Sequence, residues 1–296
     1  MHSPSSHILR AKLAAIFFAA TILAVSVPAV SVSAQEKLKV EDVIAKHLEA
    51  LGSPEARKNS RIIQGTAVGT FRLGGSGSAE GGAVIASQDV KSLVSIVFGS
   101  SDYPYERVGY DGKIVTTGEL SPGVRSKLGL FFMKHEMPVR EGLLGSVLST
   151  AWPLLDVSAR NPKLKYSGVK KVGDRKAHAL TYEGKNSGGL KTTLFFDAET
   201  FQHIRTEYEK RQIQLMPNQP SVTQQQGDSV TKLVEEFADF KEEGGLMLPH
   251  QYKITLSVES LSQRVLQDFV FKLAQFSFNQ KIDDSQFDVR STNSKS

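Results

Sequence analysis

Between Leu164 and Phe278 the chain alternates apolar and polar residues in short runs. A period of two gives a β-strand one apolar and one polar face, and the apolar face of an antiparallel sheet has to be covered by another part of the protein. Turn residues such as Gly173-Asp174 and Gly244-Gly245 separate the runs. The pattern predicts seven strands, at residues 164–172, 175–182, 190–196, 202–212, 230–240, 247–257 and 264–278.

The first half of the chain predicts a short helix followed by five more strands. Apolar residues at helical spacing predict an amphipathic helix over Val40–Leu51, which Gly52 ends, and Pro54 opens a second small turn. Asp111-Gly112 is typical of a two-residue hairpin turn. The predicted strands lie at residues 62–73, 78–87, 91–99, 105–110 and 113–117.

The pattern changes from strand to helix at Ser121. Ser121-Pro122 is typical of a helix N-cap followed by proline at the first helical position. Helices are predicted over residues 122–134 and 138–155, and Pro153 breaks the second one near its end. We call residues 121–155 the helical insertion.

The helical insertion holds more large apolar side chains than a connection on the surface needs. They either fill the concave face of the sheet permanently, or line and cover a cavity for acyl chains, and the sequence leaves both interpretations open. The candidates for the ligand cavity are Leu128, Phe131, Phe132, Leu143, Leu144, Val147, Leu148 and Trp152.

The number and order of these elements predict the fold class. About 11–12 antiparallel strands are too many for a flat sheet, and a twisted sheet curls around what it covers. The prediction is an α+β fold in which a strongly curved sheet forms a half-open barrel over helices. Residues 35–290 make a single domain, with a flexible loop at 213–227 that is rich in Gln, Pro and Asn, and a polar tail at 291–296.

The N-terminus predicts export. Arg10 and Lys12 precede an apolar stretch, and Val32-Ser33-Ala34 is typical of a signal-peptide cleavage site, so residues 1–34 are predicted to be removed after Ala34. An uncleaved anchor is the alternative. The chain has no cysteine, which excludes a lipoprotein anchored at its cleavage site and a disulfide framework. We therefore expect a periplasmic or secreted protein with no transmembrane segment after signal removal.

Charge and motifs point away from several functions. Removal of Arg10 and Lys12 with the signal peptide lowers the net charge from +5 to +3, and the basic residues are scattered, so nucleic-acid binding is not predicted. A mild preference for anionic lipid head groups remains open. No catalytic residues, metal ligands or cofactor are predicted, although His178 and His203 could converge in space. The histidines that remain lack metal-ligand spacing: His47, His135, His178, His203 and His250.

Several short segments occur in an order that resembles the periplasmic lipoprotein-carrier family, the LolA/LolB-like half-barrels. They are the helix end His47–Gly52, the strand entry Ile62–Gly65, the strand and turn Leu194–Thr200, the strand entry Phe240–Pro249 and the closing segment Phe278–Phe287. The resemblance implies a half-barrel whose closing segment packs a Phe against the sheet. It also implies a non-enzymatic carrier with lipid or lipidated protein as its partner.

Three functions follow from these observations. The first is a non-enzymatic exported protein that binds a lipid, an acyl chain or a lipidated partner in an apolar cavity between sheet and helices. The second is a structural or envelope-interaction module with a filled core, which contacts a cell-envelope protein through the loop at 213–227. The third is an exported hydrolase, which a polar pocket with converging His and carboxylate side chains would favour.

Overall fold

The computed structural model describes residues 38–73, 77–214, 227–260 and 264–290. The predicted signal peptide, the polar tail and residues 215–226 of the predicted loop lie outside the described residues. Strands extend to Gln214 and start again at Gly227, so both ends of the predicted 213–227 loop belong to the sheet instead.

Among the described residues, twelve strands form one antiparallel sheet, in agreement with the prediction of about 11–12. Their order in the sheet is β5-β4-β3-β2-β1-β12-β11-β10-β9-β8-β7-β6. The strands are β1 Ile62–Leu73, β2 Ser78–Gln88, β3 Lys91–Phe98, β4 Tyr105–Tyr110, β5 Val115–Thr117, β6 Lys163–Val172, β7 Arg175–Glu183, β8 Lys191–Asp197, β9 His203–Gln214, β10 Gly227–Glu243, β11 Leu246–Glu259 and β12 Arg264–Phe278.

The sheet is an antiparallel meander in which the first and last strands also pair, whereas β5 and β6 do not. Neighbours in sequence pair as neighbours in the sheet except at the centre, where the first strand pairs with the last through Ile63↔Phe278 and the positions that follow. β5 and β6 are consecutive in sequence but lie at opposite edges. The helical insertion connects these edges, so it has to pass from one side of the open sheet to the other.

Contacts in the interior show that the sheet curls. Val94 of β3, Leu194 of β8 and Leu233 of β10 belong to one continuous buried cluster. Ser146 of the insertion hydrogen-bonds to β9, and Thr150, four residues later, hydrogen-bonds to β2. In a flat sheet these two strands would lie about 24 Å apart, at about 4.8 Å for each strand. The predicted α+β half-open barrel is confirmed.

Two N-terminal helices precede the sheet, the first as predicted and the second where only a small turn was predicted at Pro54. They are α1 Val40–Leu51 and α2 Pro54–Asn59, and α1 buries Val43 against the sheet. The Ser53 hydroxyl caps α2 by accepting a hydrogen bond from the Ala56 N–H at 3.1 Å. The Arg57 guanidinium of α2 donates to the carbonyls of Leu48 and Gly52, so α2 satisfies the open end of α1.

The prediction for the helical insertion is wrong in two places. The first helix, α3, spans Lys127–Lys134 and starts five residues later than predicted, because its N-cap is Ser126, whose hydroxyl accepts from the Gly129 N–H at 2.7 Å. Ser121 instead opens a tight turn that the Val124 N–H closes onto the Ser121 carbonyl. The Ser121-Pro122 pair therefore opens a turn here and not a helix.

The predicted helix at 138–155 does not exist as one element. The chain forms α4 Met137–Arg140, 3-10 turns at Ser146–Leu148 and Pro153–Asp156, and then α5 Val157–Arg160. Gly142 and Gly145 have φ values of 70° and 80°, which a right-handed helix excludes. A Cβ at Gly142 would also lie 2.3 Å from the Ala151 carbonyl oxygen, so the glycine lets two parts of the insertion meet.

The hairpin at Asp111-Gly112 is also longer than predicted. Tyr110 pairs with Val115, so residues 111–114 form a four-residue loop and β5 starts at Val115, not at 113. Asp111 Oδ1 accepts from the N–H groups of Lys113 and Ile114, both at 2.8 Å. The carboxylate holds the wider loop in place of a backbone hairpin turn.

The closing segment covers the convex face of the sheet. A 3-10 turn at Asp284–Phe287 buries Phe287 completely in a small cluster with Ala86 of β2 and Leu93 of β3. The Gly109 position of β4 faces this segment, and a Cβ there would lie 2.3 Å from the Phe287 carbonyl oxygen. The Phe that the family resemblance implies for this segment is therefore packed against the sheet.

Candidate functional site

The concave face of the sheet is the candidate site, and the helical insertion covers it. All eight predicted cavity residues lie together in the main core, and none exposes more than 5% of its surface. Phe132, Leu143 and Trp152 are among the most deeply buried side chains described. The structure thus gathers the eight candidates on one face, in a closed arrangement.

Three clefts on the described surface lie away from the eight candidates. They have volumes of 340, 480 and 490 Å³, and none of the eight side chains lines them. The 490 Å³ cleft lies next to the insertion, between Arg57 of α2 and Leu155.

A buried carboxylate anchors the middle of the insertion. Glu235 of β10 is fully buried, and its Oε1 accepts from the Gly145 N–H at 2.8 Å and from the Tyr252 hydroxyl at 2.6 Å. Its Oε2 accepts from the Tyr208 hydroxyl at 2.7 Å. Burial raises the pKa of Glu235 to about 7, although the three donors lower it in part. Among the described residues it has no cationic partner.

Two histidines that are far apart in sequence meet beneath the insertion. His47 of α1 and His203 of β9 have ring centroids 6.3 Å apart, and Trp152 packs against both. His47 Nδ1 lies 3.1 Å from the Phe201 carbonyl oxygen and must donate to it, so its Nε2 is free to accept from the Trp152 Nε1–H at 3.1 Å. This tautomer is neutral, and burial lowers the pKa of His47 to about 4.

His178, by contrast, stays apart from this pair. Its Nδ1 lies 3.0 Å from the Tyr166 hydroxyl, and its ring stacks on Phe201 with the centroids 5.2 Å apart. Burial lowers the pKa of His178. The convergence that the sequence left open therefore involves His203 with His47, and not His203 with His178.

A second buried carboxylate anchors the start of α3. Glu106 of β4 is buried and accepts hydrogen bonds from the hydroxyls of Tyr103 and Ser126. Burial raises its pKa to about 7, and the two hydroxyls lower it in part. Because Ser126 is also the N-cap of α3, the same hydroxyl connects the sheet to the first helix of the insertion.

One pair in this site has the residue types of a hydrolase. Ser146 Oγ lies 2.5 Å from His203 Nδ1, and Ser146 has a φ of 55°, a strained value for a residue other than glycine. Both side chains are fully buried, and His203 Nε2 lies 3.2 Å from the Thr206 hydroxyl and not near a carboxylate. In this arrangement no substrate reaches the pair, and its polar atoms hold the insertion to β9.

Sequence patterns alone do not identify these polar anchors. Glu235 and Glu236 are adjacent in β10, so strand geometry places their side chains on opposite faces. Glu236 faces outward and accepts from Arg205 at 2.9 Å. The alternation of the strand could have identified Glu235, because it occupies an inward position between Leu233 and Phe237, where an apolar residue is expected.

Among the described residues, no group of three or more His, Asp and Glu side chains is arranged to hold a metal ion. No helix in the same ranges has the length and apolar character that a membrane crossing requires.

Comparisons with known proteins find likeness of fold alone. No family model matches the chain, and no curated protein matches it. Among solved structures, a LolA superfamily protein from Nitrosomonas europaea is 12% identical with a TM-score of 0.44, covering 85% of this chain and 98% of that one. A DUF1329 family protein from Desulfovibrio piger is 10% identical, with a TM-score of 0.40 and coverage of 84% and 97%.

A third solved structure is similar to the same extent. It is a putative outer membrane lipoprotein-sorting protein domain from Vibrio parahaemolyticus, 11% identical with a TM-score of 0.40, covering 84% of this chain and 97% of that one. All three are likenesses of fold alone, with identities of 10–12% and TM-scores below 0.5.

Proposed function

We propose that this protein is an exported, non-enzymatic binding protein that holds a lipid, an acyl chain or a lipidated partner between the concave face of the sheet and the helical insertion. The proposal rests on the structure of the helical insertion, which covers the concave face of the sheet. Eight large apolar side chains face the sheet from a segment whose longest helix has eight residues and whose turns depend on Gly142 and Gly145.

Such a cover can be displaced at lower cost than a helix bundle. Its polar attachments are few, such as Gly145 on Glu235 of β10 and Trp152 on His47 of α1, and each buried hydrogen bond contributes on the order of 1 kcal/mol net. An acyl chain of a dozen methylenes gains roughly 10 kcal/mol on burial, before the costs of association. The guest would therefore offset the lost hydrogen bonds and part of the lost apolar burial, which is worth about 1.5–3 kcal/mol for each fully buried side chain.

The proposed location of the protein rests on its N-terminal sequence. Residues 1–34 have the basic start, apolar stretch and small-residue cleavage site of a signal peptide. We propose cleavage after Ala34 and a periplasmic or secreted mature protein. N-terminal sequencing of the exported protein tests this, and a chain that keeps residues 1–34 would contradict it.

The first test of binding is direct. The mature protein, residues 35–296, is purified without detergent and extracted with chloroform and methanol, and the extract is analysed by mass spectrometry. We expect a lipid or fatty acid at a stoichiometry near one per chain. Recovery of none, together with no uptake of a fluorescent fatty acid, would contradict the proposal.

A second test asks whether the guest enters beneath the insertion. The hydroxyl oxygens of Ser87 on β2 and Thr150 in the insertion lie 2.7 Å apart, and the chain has no other cysteine to interfere with an S87C/T150C pair. We expect the oxidised, tethered form to take up fatty acid at least tenfold less than the same protein after reduction. Equal uptake in the two forms would place the guest elsewhere.

One observation favours the second candidate function, a structural or envelope-interaction module. The eight candidate side chains are almost fully buried and line none of the described clefts. If the protein is such a module, its core is permanently filled and the chloroform and methanol extract contains no lipid. The oxidised S87C/T150C variant then still binds its envelope partner. Capture of the same envelope protein by the oxidised and reduced forms, without bound lipid, would favour this module over the carrier.

A further inference from the structure

The outward face of α3 is unusual for a helix on a protein surface. Leu130 and Met133 expose 55% and 42% of their surfaces, and Val124, just before the helix, exposes 51%. Three of the large exposed apolar side chains thus fall within ten consecutive positions. Single exposed apolar residues need no explanation, but a group of them marks an interaction surface.

The inward face of the same helix is also apolar, so rotating α3 about its axis would not remove the exposed apolar surface. Leu128, Phe131 and Phe132 are buried in the core. A rotation that buried Leu130 and Met133 would expose two phenylalanines. The helix therefore has two apolar faces, of which the core uses one.

Lysines flank the exposed apolar face. Lys127 and Lys134 fall at positions three and four residues from Leu130, which places them on the same side of the helix. Neither lysine forms an ion pair among the described residues. Long lysine side chains beside apolar ones are the pattern of a helix that lies at a membrane surface, where the amines reach the head groups.

The surrounding charges favour the same orientation. The carboxylates nearest in sequence, Glu119 and Glu136, are each paired, with Arg125 at 2.6 Å and with Arg140 at 2.5 Å. At the C-terminal end of α3, burial lowers the pKa of His135, and the charges of Lys134 and Lys210 lower it further. Lys210 therefore adds a third cation near this end of the helix.

We propose that the exposed face of α3, formed by Val124, Lys127, Leu130, Met133 and Lys134, docks the protein on an anionic lipid surface. The apolar side chains enter the boundary between head groups and acyl chains, and the lysines meet the lipid phosphates. Apolar burial and electrostatic attraction act together here, because one weak signal alone binds a membrane only marginally. This surface is separate from the buried side of the insertion, and docking does not depend on any guest there.

The test uses the mature protein, residues 35–296, and unilamellar vesicles of phosphatidylethanolamine with 30% phosphatidylglycerol, analysed by flotation. We expect wild type to float with these vesicles and not with vesicles of phosphatidylcholine alone. L130S/M133S should lower the partition constant at least tenfold, and K127Q and K134Q should each lower it about fivefold at low salt.

A matched control keeps the test specific. Val97 and Val169 are as exposed as Met133, at 47% and 46%, but lie on β3 and β6. V97S/V169S should bind the vesicles like wild type, and circular dichroism should show the same fold in every variant. Failure of wild type to float, or unchanged binding of L130S/M133S, would overturn the proposal.

Another occupant of this face would also be detected. A second copy of the chain on α3 would make wild type dimeric in sedimentation velocity, with L130S/M133S monomeric and neither floating with vesicles. A soluble envelope protein as the occupant would be captured by wild type while the vesicles were not bound. Either result would overturn docking on lipid. Because the lipid extract and the tethered variant test the buried site, a failure here leaves the proposed function untouched.

Discussion

Glu235 makes the stability of this protein depend on pH in a direction that can be calculated. Its pKa is about 7 in the folded protein and takes its ordinary value of 4.5 when the chain is unfolded. An acid whose pKa is raised by folding contributes stability that is fully present below pH 4.5 and is lost as the pH rises through 7. Wild type therefore loses free energy of unfolding in this window.

The substitution that tests this is Glu235→Gln. An amide can still accept from the Gly145 N–H and the Tyr252 hydroxyl through its carbonyl oxygen, and it can donate to the Tyr208 hydroxyl. It cannot become charged. Each pH unit between the two pKa values is worth about 1.4 kcal/mol, and roughly 2.5 kcal/mol of the total falls between pH 5 and pH 8.

The measurement is urea unfolding of wild type and E235Q at pH 5 and pH 8. We expect the stability of E235Q relative to wild type to rise by about 2–3 kcal/mol between the two pH values. Comparison of the two proteins removes the effects of other groups, including Glu106, whose pKa is raised in the same direction, and His47, whose lowered pKa reduces stability as the pH falls from 6.5 to about 4.

A neighbouring residue supplies the control. Glu236 is next in sequence but faces outward, where its side chain is 41% exposed and pairs with Arg205. E236Q should change stability by less than about 1 kcal/mol at both pH values. If E235Q shows the same difference from wild type at pH 5 and pH 8, folding does not raise the pKa of Glu235, and the reasoning is refuted.

Three further substitutions test the packing of the insertion and the closing segment by urea unfolding. Gly142→Ala should destabilise by about 2 kcal/mol or more, since its φ is 70° and its Cβ would meet the Ala151 carbonyl; wild-type stability would show that this turn can relax. Trp152→Phe should lose about 1–3 kcal/mol, because His47 Nε2 loses its donor; a neutral result would contradict the assigned tautomer. Phe287→Ala should lose about 3–5 kcal/mol, and a loss below 1 kcal/mol would mean that the closing segment is not part of the folded unit.

The order and the type of the strands follow from sequence because their signals are local. A period of two, Gly-rich turns and the change of pattern near Ser121 are each visible within a dozen residues. Most predicted strand boundaries therefore lie within two residues of those in the structure, and the helix at Val40–Leu51 matches it.

The backbone structure within the helical insertion could not be predicted from local sequence signals. Its apolar spacing suits a helix from 138 to 155, but Gly142, Gly145 and Ser146 take positive φ values because the segment has to fit the curved sheet. Tertiary packing overrides local helix propensity there. The partners of Glu235 and His47 lie 17 to 154 residues away in sequence, so no local pattern specifies them.

The sequence by itself thus determined that the chain makes an antiparallel sheet of about 11–12 strands, interrupted by an apolar segment at residues 121–155, because strand and turn signals are short-range. The tertiary structure alone decided that this segment becomes a closed cover of short helices and turns. It did so because the curling of the sheet brings β4, β9 and β10 to the same interior, where buried carboxylates and histidines bind the cover at fixed points.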